Sequence, residues 1–299
     1  MRRVVLGKTG IETSALGFGC ASLGSRVGAE AGRRALEEAH AAGVGWFDLA
    51  PVYGGGEAEA IAGPFLRANR DRVQVATKAG LLLSDGPGGE VRRRLRPLAR
   101  GALALAGPKL VGSAARLRAS APKANAKPPL TPALITGSLE ASLRRLGLDH
   151  VDLFALHAPH PAEVGRDDIL AALEGVLAAG KARVVAVAGD AAAARAALAV
   201  GAPYGAVQLA VPQPGEAAAA AVLAAAHQAG VGVLVHSVFG VAGTAGGGAP
   251  DDRLARAFAL NATGVVLVSM LSGASRAATL AAAEAFLPRL GAGGEPFNY

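Results

Sequence analysis

A single (β/α)8 barrel (a TIM barrel) is the fold class this sequence predicts, with an N-terminal β-hairpin and a long basic insertion after barrel strand 3. Three observations predict it: eight short apolar runs, alanine-rich helical stretches between them, and glycines where several of those stretches stop. Alternation of this kind marks a parallel βα protein. The 299 residues suffice for eight such units around one core. A doubly wound open sheet would use fewer strands and carry a Gly-x-Gly-x-x-Gly turn after the first. Here that turn reads Gly17-Phe18-Gly19-Cys20-Ala21-Ser22, which lacks the fingerprint.

In chain order, a hairpin is expected over residues 4–6 and 11–13, turning through Gly7-Lys8-Thr9-Gly10. Barrel strands are expected at 15–19, 45–49, 73–77, 151–156, 184–188, 206–209, 231–235 and 265–269. Helices are expected at 30–42, 57–67, 132–146, 167–179, 191–198, 216–229, 251–260 and 276–286. Gly43, Gly180, Gly201, Gly230 and Gly264 follow helical stretches, where glycine commonly ends a helix. No linker or composition shift divides 1–299 into domains. Residues from about 81 to 130 are too long for an ordinary βα loop.

Composition narrows the class further. Aromatics are only 4% of the chain, so the core must be built from Ala, Val and Leu. No apolar run approaches the roughly 20 residues of a membrane span. The basic pair Arg2-Arg3 has no apolar stretch or cleavage site behind it, unlike an export signal. Cys20 is the only cysteine, which rules out an intrachain disulfide or a multi-cysteine metal site. A soluble cytoplasmic protein with no bound metal is the expectation. The Ala/Gly/Arg bias is that of a high-GC bacterial genome.

The net charge is +7, yet residues 91–139 alone hold ten basic side chains and no acid, so the rest is 7 − 10 = −3. Basicity therefore belongs to one segment. That segment has no aromatic residue to stack on a base, which argues against nucleic acid. Its arginines, Arg92, Arg93 and Arg94 among them, could instead collect an anionic small-molecule substrate. Its leucines allow a helical lid; a solvated loop is the alternative.

In a barrel, groups at the C-terminal strand ends converge on one mouth. Asp48 ends strand 2, Tyr53 follows in the next loop, Lys78 ends strand 3 and His157 ends strand 4. Taken singly, a Tyr-Gly is usually a turn and a strand-end Asp often caps a helix. Four titratable groups at three adjacent strand ends are harder to explain as packing. They suit proton delivery to a carbonyl oxygen. A lysine ammonium lowers a tyrosine's pKa, a carboxylate holds the lysine charged, and a neutral histidine orients the carbonyl. His160 lacks further ligands nearby and reads as a loop histidine.

The segment Trp46-Phe47-Asp48-Leu49-Ala50-Pro51-Val52-Tyr53-Gly54, followed by Glu57, resembles the signature of the aldo-keto reductases. Ala76-Thr77-Lys78 and Leu156-His157 resemble that family's lysine and histidine motifs, and the opening Leu6-Gly7-Lys8-Thr9-Gly10 resembles its bacterial members. The resemblance implies Tyr53 as general acid, Lys78 and Asp48 as its tuning pair, and His157 as the substrate-orienting group. It implies NADPH, with NADH as the other form, reducing an aldehyde, ketone or sugar. Cofactor contacts would come from Gly19, Cys20, Gln208, His236, Ser237, Phe239, Ser275 and Arg276, the last facing the 2′-phosphate. The pattern departs in the second half. Gly189-Asp190 replaces a Ser-Asn pair, His236 replaces the stacking aromatic, and Ala282-Ala283 replaces the adenine-reading pair. Gly240–Gly248 reads either as a flap over the pyrophosphate or as a plain connection. A catalytically silent barrel that binds a ligand or partner is the alternative reading.

Overall fold

The computed structural model describes residues 1–83, 125–240 and 249–287. Contacts divide the chain into two compact units, Met1–Gly80 with Pro129–Tyr299, and Leu81–Pro128. In the second unit Leu82 and Ala126 form an isolated antiparallel bridge. The expected lid or loop, with its arginine cluster, lies outside the described residues, as do 241–248.

The first unit contains the barrel. Strands β1 (Arg3–Val5) and β2 (Glu12–Ser14) form the antiparallel hairpin. The barrel strands are β3 (Leu16–Gly19), β4 (Trp46–Asp48), β5 (Gln74–Ala79), β6 (Val151–His157), β7 (Ala182–Ala188), β8 (Tyr204–Ala210), β9 (Gly232–His236) and β10 (Val265–Val268). All neighbours run parallel, and β10 pairs with β3 to close the ring. The described helices are α1 (Ala29–Ala41), α2 (Ala58–Ala68), α3 (Pro132–Leu146), α4 (Pro161–Val164), α5 (Asp167–Ala178), α6 (Ala191–Val200), α7 (Ala217–Ala229), α8 (Pro250–Leu260) and α9 (Gly273–Phe286). None of them is long and apolar enough to cross a membrane.

Several element ends lie one to three residues from expectation, the hairpin strands among them at 3–5 and 12–14, and three differences bear on the mouth of the barrel. Strand β5 continues to Ala79, so Lys78 lies within it. Helix α9 starts at Gly273 because the Ser272 hydroxyl accepts the Ser275 backbone N–H and caps it. Helix α4 is an addition to the expected set. His160 is its cap, its Nδ1 accepting from the Ala162 N–H while the Glu163 carboxylate accepts from His160 N–H.

Register decides which side chains face the axis. Strand side chains alternate between faces, and parallel partners point the same way. Gly17 pairs with Trp46, and a Cβ on Gly17 would lie 2.7 Å from the Leu267 side chain, 2.9 Å from Val265 and 3.2 Å from Trp46. Those residues therefore fill the lower interior. Following the ladder around, Asp48, Lys78, His157, Gln208 and His236 fall on the same inward set. The alternate set meets the helices. Phe47 packs edge-on to Phe65 of α2 with centroids 5.0 Å apart, and Thr77 donates to Glu59 of α2 at 2.6 Å.

The hairpin closes the opposite end. Leu6 and Ile11 are fully buried, and Lys8 N–H donates to Gly230 O just before β9. Beneath the barrel, Asp152 is buried, accepting from Arg70 Nη1 at 2.9 Å, Val75 N at 2.8 Å and Arg183 Nη1 at 3.0 Å. One end of the barrel is thus sealed and braced; the other is left for chemistry.

Candidate active site

Lys78 sits at the centre of the mouth. Its ammonium donates to Asp48 Oδ1 at 2.8 Å, Asp48 Oδ2 at 2.7 Å and Leu49 O at 2.9 Å. Burial disfavours the charged amine, but Asp48 and then Tyr53 outweigh it and raise the lysine's pKa. Lys78 is a fixed cation. The Leu49 carbonyl in this set could not have been found from side-chain motifs, since a backbone acceptor leaves no residue-type signal.

Tyr53 lies over that cation, with the ammonium 4.7 Å from the ring centroid. Burial raises the phenol's pKa, Lys78 lowers it, and the net shift is upward. Lys78 lowers it as expected, but desolvation is the larger effect and sets the net direction. The phenol keeps its proton at neutral pH, which is the state a donor needs.

A short 3₁₀ turn, Tyr53–Gly55, positions the ring. Tyr53 N–H donates to Ala50 O and Gly54 N–H to Ala21 O, tying this loop to the one after β3. Gly54 has φ +62°, and a Cβ there would lie 1.6 Å from the Leu23 carbonyl oxygen. Gly54→Ala is therefore expected to destabilise the protein by roughly 1–3 kcal/mol and to displace Tyr53, lowering turnover. Thermal melting and kcat check this. A variant that melts with the parent and keeps its kcat would show that the turn tolerates displacement.

His157 presents its imidazole to the Tyr53 ring, centroids 5.9 Å apart and nearly perpendicular. Burial first, then Lys78 and His236, push its pKa down to about 3, so the ring is neutral. His236 is held down chiefly by burial, with Asp48 opposing and Lys78 reinforcing. Its Nδ1 lies 2.9 Å from Ser237 Oγ. Ala158 and Ser237, each following an inward histidine, take left-handed backbone (φ 52° and 59°). Such conformations are uncommon without glycine and gather where a site constrains the chain.

Gln208 is buried at the mouth end of β8, and its Oε1 has no hydrogen-bond partner among the described residues. Gly19 pairs with Asp48, and Cys20, wholly buried, donates its N–H to the Asp48 carbonyl. Burial, then Asp48, raise the Cys20 thiol's pKa, making it an inert wall. Phe239 is exposed beyond β9. Ser275 is exposed, its hydroxyl donating to Ser272 O. Asp190, where the resemblance implies an Asn, is the N-cap of α6, accepting from the Ala193 N–H at 2.8 Å. Arg276 is buried, not open to solvent. Its Nη1 donates to Met270 O at 3.0 Å and its Nη2 is paired with Glu38 of α1. Asp48, Tyr53, Lys78 and His157 are thus brought together, with Gln208 and His236 on the same inward face, while Arg276 is engaged elsewhere.

Residues 15–282, most of the chain, match the family model described as Aldo/keto reductase family. The chain belongs to that family. Aldo-keto reductases are oxidoreductases that use nicotinamide coenzymes. The chain is 30% identical over 155 residues to a 6-dehydroglucose reductase of Agrobacterium fabrum, across 51% of this chain and 41% of that protein. It is 33% identical over 182 residues to a D-threo-aldose 1-dehydrogenase of a Pseudomonas species, across 59% and 50% respectively. The chain spans about half the length of these curated relatives or less. Among solved structures, the holo form of an aldo-keto reductase from Bacillus halodurans superposes with a TM-score of 0.69, covering 100% of this chain and 98% of that one at 18% identity. That likeness is one of fold.

Proposed function

We propose that this aldo-keto reductase interconverts a small carbonyl compound (an aldehyde, ketone or sugar) and its alcohol, with Tyr53 as proton donor. The observation that carries the reading is the partly buried Tyr53 phenol held above the Lys78–Asp48 pair, with a neutral His157 beside it. A bound nicotinamide coenzyme would supply the hydride to the carbonyl carbon. The family resemblance points to NADPH as its form. The residues fit such a group: the unpartnered Gln208 oxygen is an acceptor for a carboxamide N–H, and an unmet buried acceptor is otherwise unfavourable. His236 and Gly19 on the same inward face, with Cys20 just beyond, would border it.

This chain's own part is proton handling. The carbonyl oxygen accepts hydrogen bonds from Tyr53 Oη–H and from a His157 ring N–H. As negative charge grows on that oxygen, the Tyr53 proton moves to it, and Lys78 stabilises the phenolate left behind. Asp48 holds the ammonium in place throughout. The inward residues of β6 to β8 near the mouth are small (Ala155, Ala186, Ala188, Ala206 and Ala210).

The test is carbonyl-dependent loss of reduced-coenzyme absorbance across a panel of neutral and anionic aldehydes, ketones and sugars. The pH dependence is specified as well. His157 is already neutral above about pH 3, and the Tyr53 proton is held past its ordinary range, so neither group changes charge near neutrality. For reduction, kcat/KM is expected to be flat between about pH 5 and 9. A break near the ordinary histidine pKa would remove His157 from its role. Coenzyme binding without turnover on any carbonyl would favour a silent barrel.

A further inference from the structure

The chain leaves β6 at His157 and turns at once. Ala158 takes φ 52°, its N–H donating to Ala188 O at 2.6 Å, and Pro159 leads on to His160, the cap of α4. A left-handed alanine is unfavourable by itself and persists where the surroundings fix the chain on both sides of it. The carbonyl at the end of β7 fixes one side, and Glu163 fixes the other. This carboxylate, half-buried on α4, accepts from His160 N–H through Oε2 at 2.8 Å and from Leu130 N–H through Oε1 at 2.8 Å. Helix α4 is anchored in turn: Val164 is wholly buried and its carbonyl accepts from Tyr204 Oη at 2.7 Å.

Leu130 is buried, and both its backbone polar groups are met by side chains that follow β6. Its N–H goes to Glu163, and its carbonyl accepts from Arg166 Nη1 at 3.2 Å. Asp168 steadies that arginine, accepting from its Nε at 3.0 Å and its Nη2 at 2.6 Å. The Leu130 side chain meets the residue that ends β5. A Cβ on Gly80, which has φ +120°, would lie 3.2 Å from Leu130 Cδ2 and 3.0 Å from His157 O. One circuit therefore runs from the His157 backbone through Gly80 and Leu130 to Glu163, and back through His160. A carboxylate can serve two N–H donors at once because both its oxygens accept, and its charge strengthens each bond; glutamine has one such oxygen.

We propose that Glu163 is a positioning residue for His157: it locks the turn after β6 and so fixes where the imidazole stands toward a carbonyl oxygen. The inference rests on the carbonyl reading above for what His157 does. Glu163 acts through His157 and not on the reacting atoms, and a displacement of about 1 Å in such a donor is enough to cost up to about 10²-fold in rate.

Two readouts on the full chain test it, in Glu163→Ala and in Glu163→Gln. The first needs no turnover. The imidazole resonances of His157, assigned by their loss in His157→Gln, report its place against the edge-on Tyr53 ring. They are expected to shift in Glu163→Ala, while those of His227, held by Asn261, stay in place. The second is carbonyl reduction. Glu163→Ala is expected to lower kcat/KM by about tenfold or more, with coenzyme affinity within about twofold of the parent. Glu163→Gln, keeping one acceptor, should lose about threefold, and it carries both readouts should the alanine variant melt too low to assay. In a His157→Gln background, Glu163→Ala should cost less than about twofold more, because the residue it positions is already gone. Unshifted His157 resonances would overturn the proposal, as would an unchanged kcat/KM in Glu163→Ala. The same loss with and without His157 would also overturn it, leaving Glu163 as a support of the fold alone. A parent with no carbonyl turnover brings down the functional reading instead, and the resonances still decide whether Glu163 places His157.

Discussion

Tyr53→Phe is expected to lower kcat for carbonyl reduction by about 10²–10⁴-fold, the range over which a positioned general acid accelerates proton transfer. The substitution is conservative here. Phenylalanine keeps the ring that meets His157 edge-on and lies over the Lys78 ammonium, so packing at the mouth is retained. Only the Oη–H is lost, and with it the proton that must reach the carbonyl oxygen as hydride arrives. Coenzyme binding and melting temperature should stay close to the parent, because Lys78 loses its interaction with the Tyr53 hydroxyl but keeps its hydrogen bonds to Asp48 and Leu49. The measurement is single-turnover coenzyme oxidation with substrate affinity determined separately. A loss below about tenfold with substrate binding intact would take the donor role from Tyr53.

The second large effect lies at the other end of the barrel. Asp152→Ala should destabilise the fold by roughly 3 kcal/mol, because removing one member of a buried charge cluster leaves the others uncompensated. Arg70 has the most to lose. Its side chain is 19% exposed, and Asp152 is the carboxylate it meets, while its Nε and second terminal nitrogen are buried without partners among the described residues. Arg183 is about half exposed and can turn to water, which keeps the figure at the lower end. The Val75 N–H loses its acceptor as well. Asp152→Asn should fall between parent and alanine, retaining an acceptor for Val75 without the charge. Denaturant midpoints at unchanged slope measure both. A cost under 1 kcal/mol for the alanine variant would mean that water serves the cluster as well as the carboxylate does.

Why some of this was legible in the sequence and some was not follows from the kind of interaction involved. The barrel could be read because its strands are short apolar runs separated by periodic helices, a local signal. The gathering of Asp48, Lys78 and His157 could be read because parallel strands in a closed ring bring their ends to one face. Strand ends were less legible: β5 runs on through the polar Lys78, whose charge is satisfied by a strand neighbour and not by solvent. The direction of the Tyr53 shift also escaped, since it depends on how completely the mouth excludes water, a property of the packed whole. So did the partner of Arg276. Glu38 is 238 residues away in sequence, and nothing local in α1 marks it as the group that engages α9. Asp190 and His160 show the reverse case. Each serves as a helix cap, a local role set by the residues that follow.

The seam of the barrel has a consequence for how the chain acquires its structure. Strand β3 pairs with β10 through Leu16 with Val266 and Phe18 with Val268, 250 residues apart. During synthesis the first barrel strand is made before the other seven and its closing partner after them. Until β10 emerges, β3 offers one row of unmet backbone donors and acceptors, the kind of edge along which chains associate wrongly. Contacts of such long sequence separation also slow the final step. Expression at low temperature, or with a holdase that covers open strand edges, acts on that interval and not on the stability of the finished ring.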